Sequence, residues 1–209
     1  MSLELWLAFV AASTALLLIP GPTVLLVLSY ALSQGRQVAL SCAAGVALGD
    51  LVAMTASLAG LGALVLASAT LFTVLKWIGA AYLVWMGIRL LRAPRAGRLE
   101  AQAPGDSSAN RVFAHAAAVT ALNPKSIAFF IAFVPQFVTL DAPLAPQFAV
   151  LVATFVGLAA LNALAYALAA DRLRATIRRP AVITGLTRAG GAALIGMGVM
   201  TATLRRAPG

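Results

Sequence analysis

A chain of 209 residues that is 62% hydrophobic and 10% charged is too apolar for a soluble domain. A soluble fold of this size leaves roughly 30% of its unfolded surface exposed, so it cannot hide so much apolar area, and a mean hydropathy of +0.96 agrees. The same composition excludes a disordered chain and a disulfide scaffold, and the net charge of +9 reads as arginine-rich loops of a membrane protein rather than as a nucleic-acid binder.

The apolar runs are long and unbroken, which suits helices and not the alternating strands of a barrel. At about 25 residues per span with short loops, the length allows roughly six or seven spans. The sequence predicts an all-α polytopic membrane protein of six spans. The first covers 3–32. It lacks the basic start of a signal peptide, since Glu4 is its only charged side chain before Arg36, and it is expected to be retained. Pro20-Gly21-Pro22 breaks it. A polar turn over 33–37 leads to span two, 38–66, with Gly45, Gly49 and a lone Asp50. Span three, 71–91, carries Trp77, Tyr82 and Trp85, the tryptophans fitting an interfacial belt. Residues 92–110, rich in Arg, Pro, Gly, Ser and Ala, read as a loop. Span four, 112–138, is interrupted by Asn123-Pro124-Lys125 and again by Pro135. Span five covers 147–170, a basic loop begins at Asp171, and span six covers 184–204.

Eleven basic residues fall in or beside the odd-numbered loops and three on the other side, with Lys125 inside a span. The positive-inside rule therefore places the odd loops in the cytoplasm and both termini outside. The two halves correspond. Each opens with a proline-broken span, and each second span carries one strongly polar residue, Asp50 and Asn162. Three spans per half give the halves opposite orientation. This predicts two inverted three-helix repeats, 1–93 and 111–209, joined by a cytoplasmic linker at 94–110, the arrangement of many transporters.

Candidate site residues follow from cost. An aspartate near the middle of a span costs roughly 2.5–3.5 kcal/mol on insertion scales, so Asp50 should face the interior or a wet cavity. There it can exchange a proton or pair with an ammonium group, or form a fixed ion pair with Lys125. Lys125 itself can bind a carboxylate, pair with Asp50 or snorkel. Pro20, Gly21 and Pro22 expose backbone groups at membrane depth, and a helix restarting there points its positive end at the break. Asn123 can satisfy groups freed by Pro124, and Asn162, Tyr166, Gln136 and Tyr30 are further cavity liners. His115 reads as an interfacial residue, Cys42 as a buried apolar one, and Gly45-x-x-x-Gly49 as a packing surface.

Ile19-Pro20-Gly21-Pro22, the stretch from Gly45 to Gly49-Asp50, and Leu122-Asn123-Pro124-Lys125 followed by Phe129-Phe130 and Pro135-Gln136-Phe137 form a combined pattern. In it the chain resembles the LysE/RhtB family of bacterial amino-acid exporters over nearly its whole length. The resemblance implies a proton-driven efflux carrier of the bacterial inner membrane. Its expected partners are the lipid bilayer, a small amino acid such as homoserine, threonine, lysine or leucine, and protons; a homo-oligomer stays open. It places Pro20, Gly21, Pro22, Asp50, Asn123, Pro124 and Lys125 in the region that matters. The wider superfamily also suggests a metal or small-cation exporter, which would need several Asp, Glu, His or Cys ligands in the spans. An intramembrane enzyme has no Gly-x-Ser-x-Gly elbow and no His/Glu metal spacing to stand on, and no phosphate-binding Gly-x-x-x-x-Gly-Lys loop points to ATP. No catalytic residue, cofactor or resident metal is expected.

Overall fold

The computed structural model describes residues 1–19, 21–34, 36–93, 108–139, 142–177 and 180–203. Pro20, most of the 94–110 linker, Asp141 and the Arg205-Arg206 pair lie outside the described residues. Among the described residues the chain is helical and no strand forms.

Among the described residues eight α-helices follow one another: α1 (Leu3–Leu18), α2 (Pro22–Gln34), α3 (Arg36–Ala67), α4 (Ala69–Arg92), α5 (Ala109–Ala121), α6 (Pro124–Ala132), α7 (Leu144–Ile177) and α8 (Pro180–Thr203). Their ends follow from local chemistry. Ser2 caps α1 by accepting from the Leu5 amide at 3.3 Å, and Ser68, in extended conformation, accepts from Leu71 at 3.2 Å to separate α3 from α4. Asn123 caps α6, with Pro124 in the first helical turn where its missing N–H costs nothing. A 3-10 turn, Val134–Phe137, closes α6. Gln147 then ties the approach to α7: its Oε1 accepts from the Thr139 amide and its Nε2 donates to the Thr139 carbonyl, both at 2.8 Å.

The first and fourth expected spans are each two helices, bent by 59° between α1 and α2 and by 44° between α5 and α6. Windows in α3 (Gln37–Ala63), α4 (Thr73–Arg92) and α7 (Leu144–Ala169) are long and apolar enough to cross a membrane singly, and each bent pair qualifies as one further span, for up to five. One expectation is corrected. The basic stretch from Asp171, expected to be a loop, continues α7 to Ile177. Arg, Leu and Ala are strong helix formers, and no proline interrupts them before Pro180 starts α8.

α3 is the hub. It packs chiefly on α5 and α7, while α4 packs on α8 and α6. Two apolar cores result. The first gathers α1, the second half of α3, α6, the first half of α7 and residues of α4 and α8. Its centre is a run of phenylalanine contacts linking Phe9, Phe129, Phe130, Phe133, Phe137 and Phe155, with ring centroids 4.8–6.1 Å apart. The second core joins α2, the first half of α3, α5 and the second half of α7. It is built of small residues such as Ala39, Ala43, Ala116 and Ala163 around Val27, Val46 and the buried Cys42.

Small residues bring backbones together, which is how helices gain contact area in lipid. Gly49 faces α5 so closely that a Cβ there would lie 2.6 Å from the Ala117 carbonyl oxygen and from Thr120 Cβ. Gly87 and Gly191 face each other's carbonyls at the α4–α8 crossing in the same way. Gly60, on the same helix as Gly49, has open space instead. Gly49→Ala is therefore expected to lower stability by roughly 1–3 kcal/mol through overpacking against backbone. Gly60→Ala should stay within about 1 kcal/mol of wild type or gain slightly from helix propensity. Thermal melts of the two variants in the same detergent compare them directly, and equal melting would refute the close-packing account.

Candidate functional site

Four polar residues of the spans, Asp50, Asn123, Lys125 and Asn162, lie where the two apolar cores meet. On α3, Asp50 falls between Val46 of one core and Ala53 of the other. On α7, Asn162 falls between Ala159 and Ala163. Asp50 is 2% exposed, Asn123 4% and Lys125 8%. With Thr23 and Ser126 these residues line a cavity of about 30 Å³, room for about one water molecule.

The helix breaks explain the arrangement. A helix end leaves its last carbonyls without intrahelical partners. Proline at position 20 has no N–H to offer the Leu16 carbonyl four residues back, and Pro22 has none for that of Leu18. The Lys125 ammonium donates to Leu16 O and Ile19 O, each at 3.1 Å, and Asn162 Nδ2 donates to Leu17 O at 3.2 Å. A cation at the negative end of α1 is also favoured by the helix dipole. Gly21 leaves room for the approach, since a Cβ there would sit 3.2 Å from Lys125 Nζ and press the ammonium back by a few tenths of an ångström. At the second break the Asn123 side chain accepts from the Lys125 amide at 3.1 Å and donates to Thr23 Oγ1 at 3.3 Å, and Thr23 and Thr120 hydroxyls meet at 3.4 Å. The two breaks are thus joined side to side.

Of the residues singled out in the sequence, Asp50, Asn123, Lys125 and Asn162 meet at this cavity. Lys125 bonds to the α1 carbonyls rather than to Asp50. Gly21, Pro22 and Pro124 adjoin it on the wall of a second cavity, of about 330 Å³, which Lys125 and Asn123 also line. Pro20 lies outside the described residues. Tyr166 and Gln136 line neither cavity. Tyr166 is one turn past Asn162, packed at the edge of the small-residue core. Gln136 belongs to the 3-10 turn at the far end of α6. Tyr30 Oη is hydrogen bonded to His115 Nδ1 at 3.0 Å, away from the breaks. Thr23, Thr120 and Ser126 were not singled out. The signal for each was position: Thr23 follows Pro22 directly, and Thr120 and Ser126 each stand three residues from Asn123. Among the described residues no three His, Cys, Asp or Glu side chains converge on a point.

A chain of apolar helices with two joined breaks around a buried lysine and aspartate is built like a membrane carrier rather than a soluble enzyme. Comparison with known proteins gives the family: residues 14–205 match the LysE type translocator family, and the chain belongs to it. It is 34% identical over 207 residues to the homoserine/homoserine lactone efflux proteins of Salmonella typhimurium and Salmonella typhi, with 99% of this chain and all of each relative covered. It is also 34% identical over 205 residues, 98% of this chain and all of the relative, to an uncharacterized membrane protein of Vibrio cholerae. No solved structure matches the chain.

Proposed function

We propose that this transporter exports homoserine, homoserine lactone or close relatives from the bacterial cytoplasm in exchange for protons, through the site at the joined breaks. The observation that carries the reading is the cluster of buried Asp50, Lys125 and Asn123 with half-buried Asn162 around one cavity between two apolar cores in a LysE family chain. Exchanging the halves supports an inverted repeat. α1 and α6 serve the phenylalanine core, and their counterparts α5 and α2 serve the small-residue core. Asp50 and Asn162 then take corresponding places on α3 and α7. The starts of α1 and α7 share one end, where Trp6 Nε1 donates to Thr154 Oγ1 at 3.0 Å and Met1 and Gln147 line a common cavity. This suits six spans in the inner membrane with both termini in the periplasm and the linker in the cytoplasm.

The test is transport in inverted vesicles, whose outer face is the cytoplasmic one. An acidic lumen should drive labelled homoserine inward, because protons leave as substrate enters. For one-to-one exchange of a net-neutral substrate, each pH unit supports about a tenfold accumulation. Failure of both compounds to move would refute the substrate assignment, and movement indifferent to the gradient would refute proton exchange.

A further inference from the structure

The 330 Å³ cavity lies at the low end of the volume range of small-molecule sites. One wall comes from both helix breaks: Gly21 and Pro22 from the first, Pro124 from the second. The facing wall is α4, which presents Tyr82, Trp85 and Arg89 at three- and four-residue spacing, hence on one face. Tyr82 and Trp85 have ring centroids 5.3 Å apart, and the Arg89 guanidinium sits 4.9 Å from the centre of the Trp85 ring. Arg89 is exposed and Lys125 is buried, so the arginine lies toward the mouth of the cavity and the lysine toward its floor. A cation–π contact holds the arginine over the Trp85 ring, and the planar guanidinium fork matches a carboxylate. The floor differs in kind: the Lys125 ammonium already serves the Leu16 and Ile19 carbonyls.

We propose that this cavity is an entry site, in which Arg89, positioned by Trp85, receives the carboxylate of an amino-acid substrate before it reaches the central site. The inference rests on the exporter reading above. It separates the two compounds named there by chemistry, because homoserine carries a free carboxylate and its lactone does not. Arg89 is thereby a specificity residue for the acid form alone.

The experiment measures uptake of both compounds by wild type, Arg89→Gln and Arg89→Lys in the same vesicles. The ratio of homoserine to lactone uptake at low concentration is independent of how much protein is correctly inserted. Loss of a charge-assisted hydrogen bond at a partly exposed site should raise the Michaelis constant for homoserine roughly tenfold in Arg89→Gln and leave that for the lactone unchanged. Arg89→Lys should fall between, and Trp85→Ala should shift the ratio in the same direction by freeing the guanidinium. An equal loss for both compounds would overturn the proposal. So would a defect that appears only in vesicles containing anionic lipid, which would assign Arg89 to a headgroup phosphate instead. If wild type moves neither compound, the exporter reading itself fails, a result distinct from an unchanged ratio.

Discussion

Asp50→Asn is expected to yield a folded, inserted protein that has lost proton-driven export. Asparagine keeps the shape of the side chain and cannot exchange a proton. The wild-type carboxyl lines the central cavity at 2% exposure, with no room beside it for an amino acid. On the proposed reading, substrate access requires the breaks to move apart, and Asp50 would then hold either a proton or the substrate's ammonium group. A buried charge kept at membrane depth against a cost of roughly 2.5–3.5 kcal/mol is most simply explained by such a task. Removing one partner of a buried charge interaction typically costs about 2–5 kcal/mol, so gradient-driven transport should fall at least tenfold, and what remains should ignore the gradient. The competing idea is that Asp50 only balances Lys125. On that account Asp50→Asn melts earlier but still answers a pH gradient normally. Uptake by the variant at matched protein, with and without the gradient, decides between the two.

The helices and their breaks were legible because their chemistry is local. Proline removes a donor wherever it stands, so Pro22 and Pro124 announced the bends before any tertiary contact was known. Asp50, Lys125, Asn123 and Asn162 were legible because a polar side chain in lipid must find a partner. What was not legible was the partner. Lys125 reaches carbonyls 106 and 109 residues earlier in the chain, and no spacing rule gives that register. Gln136 and Tyr166 have the right chemistry, but the length of α6 and the rise along α7 carry them past the site. Arg89 and Trp85 read as a basic loop margin and an interfacial belt. Only the way α4 lies against the breaks brings them to one cavity wall. The end of α7 was misread for a simpler reason: charge density suggested a loop, whereas loss of helix needs a breaker, and none stands before Pro180.

Lys125→Met should be the most destabilising single change at the site. The methionine fills the stem's volume but abandons Leu16 O and Ile19 O at the end of α1, and it leaves the Asp50 carboxyl without a nearby cation. Hydrogen bonds to charged groups are worth about 1.5–3 kcal/mol each. Breaking a buried charged arrangement by removing one member costs about 3–5 kcal/mol. At roughly 2–4 °C per kcal/mol for a chain of this size, the melting midpoint should fall by about 10 °C. Asn162→Leu abandons only Leu17 O and should cost less, about 1–3 kcal/mol. The double variant Lys125→Met with Asp50→Asn separates the two duties of the lysine. Neutralising Asp50 removes the uncompensated carboxyl, so the double variant should melt above Lys125→Met alone, yet below wild type, because Ile19 O stays without the lysine and Leu16 O keeps only the Ile19 amide at 3.3 Å. The interaction energy from the resulting mutant cycle measures how far Asp50 and Lys125 act as a pair. A double variant no more stable than Lys125→Met would mean that the lysine serves the helix end alone. If Lys125→Met melted like wild type, the break would not depend on the lysine at all, and the account of how the two halves are joined would be wrong.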